Sequence, residues 1–299
     1  MQPAFAAVDW GTTSFRLWLL DAAGAICGQS AGPDGMTPSA GRFPEVLARH
    51  LASAGAAADL PVLICGMAGA RQGWIEAPYL PLPARLDRLH EAAIRVPTEG
   101  DIRILPGLCQ SDPAAPNVMR GEETQLLGLP PAKGPRLVCL PGTHSKWVWM
   151  DGPAVTRFTT VMTGELYAAL SQHTVLRHSV PDAPPTPPDH PAFLAALDLV
   201  LAAPAAVLTR LFELRAGQLL DLAAPRDGDA HLSGLLIGAE IGALSPRIDA
   251  PLLLAGTGPL LALYAAALTR AGIPFTTADA AEASRRGLAL AGSRIWSDA

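Results

Sequence analysis

Asp9-Trp10-Gly11-Thr12-Thr13-Ser14-Phe15-Arg16 opens the chain, and Gly142-Thr143-His144-Ser145-Lys146-Trp147 stands 131 residues further on, Gly11 against Gly142. Both carry the pattern G-T-x-S. Trp18 and Trp149 keep the same offset, a cation follows each serine closely (Arg16, Lys146), and an Asp/Gly turn comes next (Asp21 and Gly24; Asp151 and Gly152). The flanking runs also match. Phe5 to Val8, Phe15 to Leu20 and Ala25 to Gln29 read as a three-strand meander. Leu137 to Leu140, Lys146 to Met150 and Ala154 to Phe158 repeat that layout. Such internal similarity marks a repeated unit, and two β-turn-β units, one in each half, predict two domains facing each other across a cleft.

The chemistry of these turns is that of anion binding. Glycine lets the backbone approach a phosphate, and successive N–H groups form a nest for it. Gly11, Thr12, Thr13 and Arg16 are therefore candidates to hold a nucleotide polyphosphate from one side. Gly142, Thr143, His144 and Lys146 are candidates from the other. Phosphoryl transfer is mostly positioning and charge stabilisation, which suits such a clamp. Asp9 carries the wrong charge for phosphate. It fits Mg²⁺ held through waters, since that ion takes few carboxylates; a turn cap is the other role open to it. Lys146 is one of only two lysines against twenty arginines, as expected of a point charge directed at phosphate.

Between the repeats, Phe43 to Leu51 reads as a helix, and Pro61 to Cys65 and Ile102 to Leu105 as strands. Glu122 to Leu129 has helical spacing. Glu122 and Glu123 either complement a helix dipole or include a general base for a substrate hydroxyl. Neighbouring helical residues diverge too far to reach one atom, so one of them, Glu122 before Glu123, is the candidate. Cys65 to Trp74 is a strand end running into a glycine-punctuated loop, a common place for binding residues. Arg71, Gln72, Trp74 and Glu76 offer an anion fork, an amide, an apolar face and an acceptor, a set suited to a small anionic substrate. Arg120 is a second substrate candidate. Glu165 is a third, in Met162-Thr163-Gly164-Glu165, which otherwise reads simply as a helix start. Gly256 and Thr257 sit at a strand-turn-helix step whose small residues leave room for adenosine. Pro181 to Pro191 is too proline-rich for a helix.

Composition bounds the class. The chain has 299 residues, 49% apolar and 16% charged, with formal net charge −5 and no basic block. That argues against nucleic-acid binding and against disorder. The four cysteines show no ligand spacing, and Met1 to Asp9 lacks the basic start and apolar run expected of a signal peptide. The uncharged stretch from Ala250 to Thr269 is broken by Gly256-Thr257-Gly258-Pro259 and reads as a strand and a helix rather than a membrane span. The expectation is a cytoplasmic protein with no membrane or nucleic-acid partner, homo-oligomerisation being left open.

Longer motifs carry a resemblance. Asp9 to Arg16 resembles the first phosphate motif of the sugar kinase/Hsp70/actin superfamily. Pro106 to Cys109, Asn117 to Gln125, Pro141 to Trp147, Val161 to Leu166, Ser233 to Glu240 and Ala255 to Thr257 together resemble the 2-dehydro-3-deoxygalactonokinase family, from about Phe5 to about Gly292. The resemblance implies an α/β, two-domain ribonuclease-H-like (actin-like ATPase) fold. It implies an ATP- and Mg²⁺-dependent kinase acting on the 6-hydroxyl of 2-dehydro-3-deoxy-D-galactonate, with phosphate roles for Gly11, Thr12, Thr13, Gly142 and Thr143. Many superfamily members use an Asp as base where this chain has Glu122-Glu123. The expected domains are 1–129 with a C-terminal helix from about 280 to 299, carrying the first phosphate loop and the sugar-acid site, and 130–279, carrying the second loop and the adenosine site. A kinase for the epimeric 2-dehydro-3-deoxygluconate or another sugar, or a non-catalytic sugar-acid sensor that binds ATP, are the alternatives.

Overall fold

The computed structural model describes residues 2–180, 184–224 and 227–296. Part of the Pro181 to Pro191 segment, residues 181–183, lies outside them; 184–188 carry no helix or strand.

The chain divides into two compact units: residues 1–134, 150–157 and 280–299, and residues 135–149 and 158–279. In the first, strands β1 (Phe5–Trp10), β2 (Phe15–Leu20) and β3 (Ile26–Gly32) precede helices α1 (Met36–Ser39) and α2 (Phe43–Ala54). Strand β4 (Val62–Gly66), the short strands β5 (Tyr79–Pro81), β6 (Ala84–Arg85) and β7 (Ile94–Arg95), β8 (Ile102–Ile104), β9 (Gly107–Gln110), β10 (Asn117–Met119) and helix α3 (Glu122–Gly128) follow. The second half runs β11 (Pro135–Leu140), β12 (Ser145–Asp151), β13 (Ala154–Val161), α4 (Thr163–His173), α5 (Pro191–Val200), α6 (Val207–Leu219), α7 (Gly228–Leu244), β14 (Leu252–Gly256), α8 (Gly258–Arg270) and β15 (Phe275–Asp279). Helix α9 (Ala280–Ile295) returns the chain to the first unit.

The first sheet has the order β3-β2-β1-β4-β8, extended by β7. β1 pairs antiparallel with β2 and parallel with β4, and β4 pairs parallel with β8. The second sheet has the order β13-β12-β11-β14-β15, with β11, β14 and β15 parallel. The two orders correspond strand for strand. This is the ribonuclease-H-like topology, present twice, and the G-T-x-S turn joins the first two strands of each copy. All six β1 residues and all five β4 residues are buried, as are the last four of β11. One core gathers Val8, Trp10, Phe15 and Phe43 over Ile64 and Ile104. The other gathers Trp147, Phe193, Leu197, Ile241, Leu254 and Leu268.

Two features depart from the sequence reading. The first unit runs to Gly134 rather than ending at 129, and it takes in residues 150–157. There the β12–β13 turn joins it because Ala154 and Val155 pair with Arg85 and Ala84. A three-stranded sheet, β10-β9-β5, also forms; its strands are too short to show periodicity. Ala250 to Thr269 is indeed strand, turn and helix. Among the described residues no single helix is long and apolar enough to cross a membrane.

Candidate active site

In the first unit the G-T-x-S turn is closed by the Gly11 N–H donating to the Ser14 carbonyl at 2.9 Å. The start of α1 supports it from behind. Met36 N donates to Gly11 O at 2.8 Å and Thr37 N to Thr12 O at 3.1 Å, while a Cβ on Gly35 would stand 2.4 Å from Thr12 O. Thr12 and Thr13 are left exposed. Asp9, at the end of β1, is 8% exposed. Its Oδ2 accepts from Arg16 at 2.6 Å and from Ser284 of α9 at 2.7 Å. Arg16 is the residue paired opposite Asp9 across the two strands. The arginine read from the sequence as a phosphate contact thus holds the carboxylate.

The carboxylates of α3 lie in the same unit. Two glycines with positive φ bring the elements together: Gly66 (φ 91) ends β4 and Gly121 (φ 107) precedes α3. A Cβ on Gly121 would meet Gly66 Cα at 3.3 Å, and one on Gly66 would meet Trp10 O at 2.6 Å. The adjacent glutamates then diverge. Glu123 is fully buried and accepts the Gly121 N–H on both oxygens, at 2.9 and 2.7 Å. Burial, and next the charge of Glu122, push its carboxyl up to about 8. Glu122 is half-buried and accepts the Arg120 N–H at 3.0 Å. Cys65 is buried beside Asp9 and Glu123; burial first, then those two carboxylates, raises its thiol well above the usual range. That removes Cys65 from nucleophilic chemistry.

Arg120 is 8% exposed. It donates to Ala77 O at 2.8 Å and lies 4.2 Å over the Tyr79 ring. Its Nε and Nη1 are buried with no hydrogen-bond partner, and a Cβ on Gly69 would stand 3.0 Å from Nη1. Arg71 is the opposite case. Its side chain is 80% exposed and paired with Glu76 at 3.3 Å, with Gln72 exposed beside it. Trp74 turns inward, stacked on Phe43 at 6.0 Å and edge-on to Trp10 at 6.3 Å. Of the four loop residues, Trp74 thus belongs to the core packing and the other three face solvent.

In the second unit the turn from Gly142 to Ser145 rests on the start of α4. Glu165 N donates to Thr143 O at 3.0 Å, and a Cβ on Gly164 would clash with Gly142 O at 2.6 Å. His144 Nε2 and Glu165 Oε2 share a hydrogen bond. These two residues, read from the sequence as contacts to different ligands, are brought together. Lys146 is 4% exposed, and its Nζ donates to His144 O at 3.1 Å. Beneath the turn, Glu240 of α7 accepts from Trp147 Nε1 at 2.7 Å, from Tyr264 OH at 2.6 Å and from Thr163 Oγ1. Ser145 Oγ bonds Tyr264 OH at 2.8 Å. Burial raises the Glu240 carboxyl. One buried side chain thereby ties together β12, α4, α7 and α8 around the turn. Sequence reasoning missed its role; the signal was a lone acid in the apolar run Leu235 to Ile241.

A cavity of about 250 Å³ opens beside the turn, lined by Gly142, Gly164, Ser233, Ile237, Leu260 and Leu263 among others. Gly256 and Thr257 are not among its lining residues; Pro259 and Leu260, just beyond them, are.

Residues 9–291 match the 2-keto-3-deoxy-galactonokinase family. The chain belongs to that family. The 2-keto-3-deoxy-galactonokinase match is supported by close relatives. A probable 2-dehydro-3-deoxygalactonokinase of Rhizobium meliloti (strain 1021), DgoK1, is 48% identical over 98% of this chain and 97% of its own length. The 2-dehydro-3-deoxygalactonokinase of Escherichia coli (strain K12) is 38% identical over 96% and 97%. A crystal structure from Sinorhizobium meliloti, provisionally assigned as a 2-dehydro-3-deoxygalactonokinase, superposes with a TM-score of 0.94 at 47% identity, covering 99% of this chain and 98% of that one. The doubled sheet order, with a G-T-x-S turn at the same place in each copy, is thus that of a 2-keto-3-deoxy-galactonokinase family member.

Proposed function

We propose that this chain transfers the γ-phosphoryl group of ATP to the 6-hydroxyl of 2-dehydro-3-deoxy-D-galactonate, giving the 6-phosphate and ADP, in cytoplasmic galactonate catabolism. The observation that carries this reading is the pair of matching glycine turns in a chain of this family. Backbone N–H groups of Gly11 to Thr13 and of Gly142 and Thr143 bind the phosphates, and the cavity beside Gly142 takes the nucleoside. Among the described residues no three His, Cys, Asp or Glu side chains form a ready metal cage. The single carboxylate Asp9, whose two donors both sit on Oδ2, suits an ion that keeps its waters, and Mg²⁺ is such an ion. Bound there, Mg²⁺ supplies charge neutralisation to the phosphate oxygens.

Glu122 serves as the base. It is the glutamate with access to solvent, and it accepts the proton of the 6-hydroxyl as the new O–P bond forms. Glu123, buried and held by Gly121, fixes the loop. Arg71 and Gln72 bind the carboxylate at the far end of the substrate. A coupled ADP assay over a panel of 2-keto-3-deoxy acids and parent sugars tests the reading. ADP release is expected with the galacto acid. Preferential turnover of the C4 epimer would move the substrate assignment, and no ADP release with any member would overturn the kinase reading.

A further inference from the structure

The cavity beside the second turn has two unlike ends. Gly142 and Gly164 line the end next to the turn. Helix α7 runs beneath it, with Asp229, Ser233 and Ile237 in the lining and Glu240 under the turn. Asp229 stands eleven residues before Glu240, about 16 Å along the helix axis, and so marks the far end. The start of α7 is fixed there, since a Cβ on Gly228 would stand 1.7 Å from Ser179 O. The half-buried Asp229 carboxylate accepts from Tyr167 OH on Oδ1 and from the Thr186 hydroxyl on Oδ2.

These hydroxyl protons are all committed. Tyr167 and Thr186 donate to Asp229, and Thr163 and Tyr264, nearer the turn, donate to Glu240. Among the described lining residues there is no Lys, Arg, His, Asn or Gln. The side chains at the far end therefore present acceptors. Each Asp229 oxygen keeps a lone pair beyond the one its hydroxyl takes. A carboxylate in the first turn of a helix also complements the dipole, but that role needs neither the cavity nor the pair of hydroxyls. The rest of the lining is largely aliphatic (Leu236, Ile237, Leu260, Leu263), as suits a flat ring.

We infer that Asp229 reads the nucleobase and selects the 6-amino group of adenine. This rests on the reading of the cavity as the nucleoside site. With the phosphates on the Gly142 turn, the ribose follows and the base comes last, against the acceptor end. Adenine's 6-amino group is its donor, while its free ring nitrogens accept. A base carrying a 6-oxo group would set oxygen against carboxylate.

Titration calorimetry of the full chain, with Mg²⁺ and no sugar acid, compares ATP with purine riboside triphosphate, which lacks only the 6-amino group. The wild type is expected to bind ATP at least tenfold more tightly, the scale of one charge-assisted hydrogen bond. In Asp229→Ala the two nucleotides are expected to bind within about threefold of each other. The analogue's affinity should not change, which shows that the site is still folded. If the alanine variant loses the analogue too, Asp229→Asn decides. It keeps the volume and the hydroxyl partners, and without the charge the preference is expected to fall at least threefold. Equal binding in the wild type, or a preference that survives both substitutions, overturns the inference. No binding of either nucleotide overturns the nucleoside reading of the cavity and this inference with it. ATP bound with the expected preference but without ADP release on adding sugar acid supports this inference and counts against the kinase reading alone.

Discussion

Ser284 Oγ donates to Asp9 Oδ2 at 2.7 Å, joining two residues 275 positions apart in the chain. With Arg16 on the same oxygen, the Asp9 carboxylate is aimed before any ligand arrives. Asp9→Asn is therefore expected to lower kcat by about a hundredfold or more, the scale of losing a preorganised charge. The melting temperature should move by only a few degrees. Ser284→Ala removes one neutral donor, a loss of about 1 kcal/mol, and should lower kcat less than tenfold. Steady-state rates and thermal melts on the same preparations check both; unchanged turnover in Asp9→Asn would leave that residue as a turn cap.

Gly142 offers a cleaner separation of binding from stability. A Cβ there would meet nothing within 4 Å. Gly142→Ala should leave the melting temperature alone and raise KM for ATP at least tenfold, because the added methyl stands where a phosphate would approach the backbone. An unchanged KM for ATP removes Gly142 from the phosphate site.

Much of this was legible in advance, and the reason is physical. The repeated turns are visible because the tight turn and the strand pattern around it constrain residue type at each position. The strand meanders and the late β14–α8 step follow from apolar runs, and α2 and α3 from apolar residues at helical spacing. The sheet β10-β9-β5 was not legible, since strands of three or four residues show no period. Nor was the contact between Ser284 and Asp9, because nothing local in α9 signals a partner on β1. The pairing of His144 with Glu165 was hidden for the same reason: the sequence names the groups and the fold decides which of them meet.

Glu123 gives a pH dependence with a definite sign. Its folded value is raised to about 8 from an ordinary 4.5. The unfolded chain releases this proton first as pH rises, so the stabilising contribution is complete below about 4.5 and is lost as pH climbs through about 8. Urea unfolding across that range should show stability falling in the wild type. In Glu123→Gln, which cannot ionise, the fall should be shallower. Equal slopes in the two proteins would mean that Glu123 is ionised in the folded state at neutral pH.

Arg71 is expected to anchor the substrate acid. A charge-assisted hydrogen bond contributes about 1.5–3 kcal/mol, or one to two decades in affinity. Arg71→Ala should raise KM for the acid at least tenfold and leave KM for ATP nearly unchanged. Because the side chain is 80% exposed, the fold should not respond. If kcat collapses while the acid KM stays put, the anchor lies elsewhere.

The crossing of α3 and α9 depends on two glycines. A Cβ on Gly287 would stand 1.9 Å from Thr124 O, and one on Gly128 would stand 1.9 Å from Ala283 O. Both obstacles are backbone, so the helices must move apart. Gly287→Ala is expected to cost about 3 kcal/mol or more by urea unfolding. Gly134→Ala, where nothing lies within 4 Å, should stay within about 0.5 kcal/mol of the wild type.

The return of α9 to the first unit has a consequence for how the molecule is made. On the ribosome, β1 and the Asp9 carboxylate are made 275 residues before Ser284, and the helix that seats against α3 follows the whole of the second unit. Loop closure over such a separation is entropically demanding and slow. While the second unit is being made, the nascent chain therefore holds a first unit lacking its closing helix, with the buried faces of Leu63, Cys65 and Leu105 waiting for Leu288 and Ala291. The hydrogen-bonded setting of Asp9 is thus completed only once the second unit has been made.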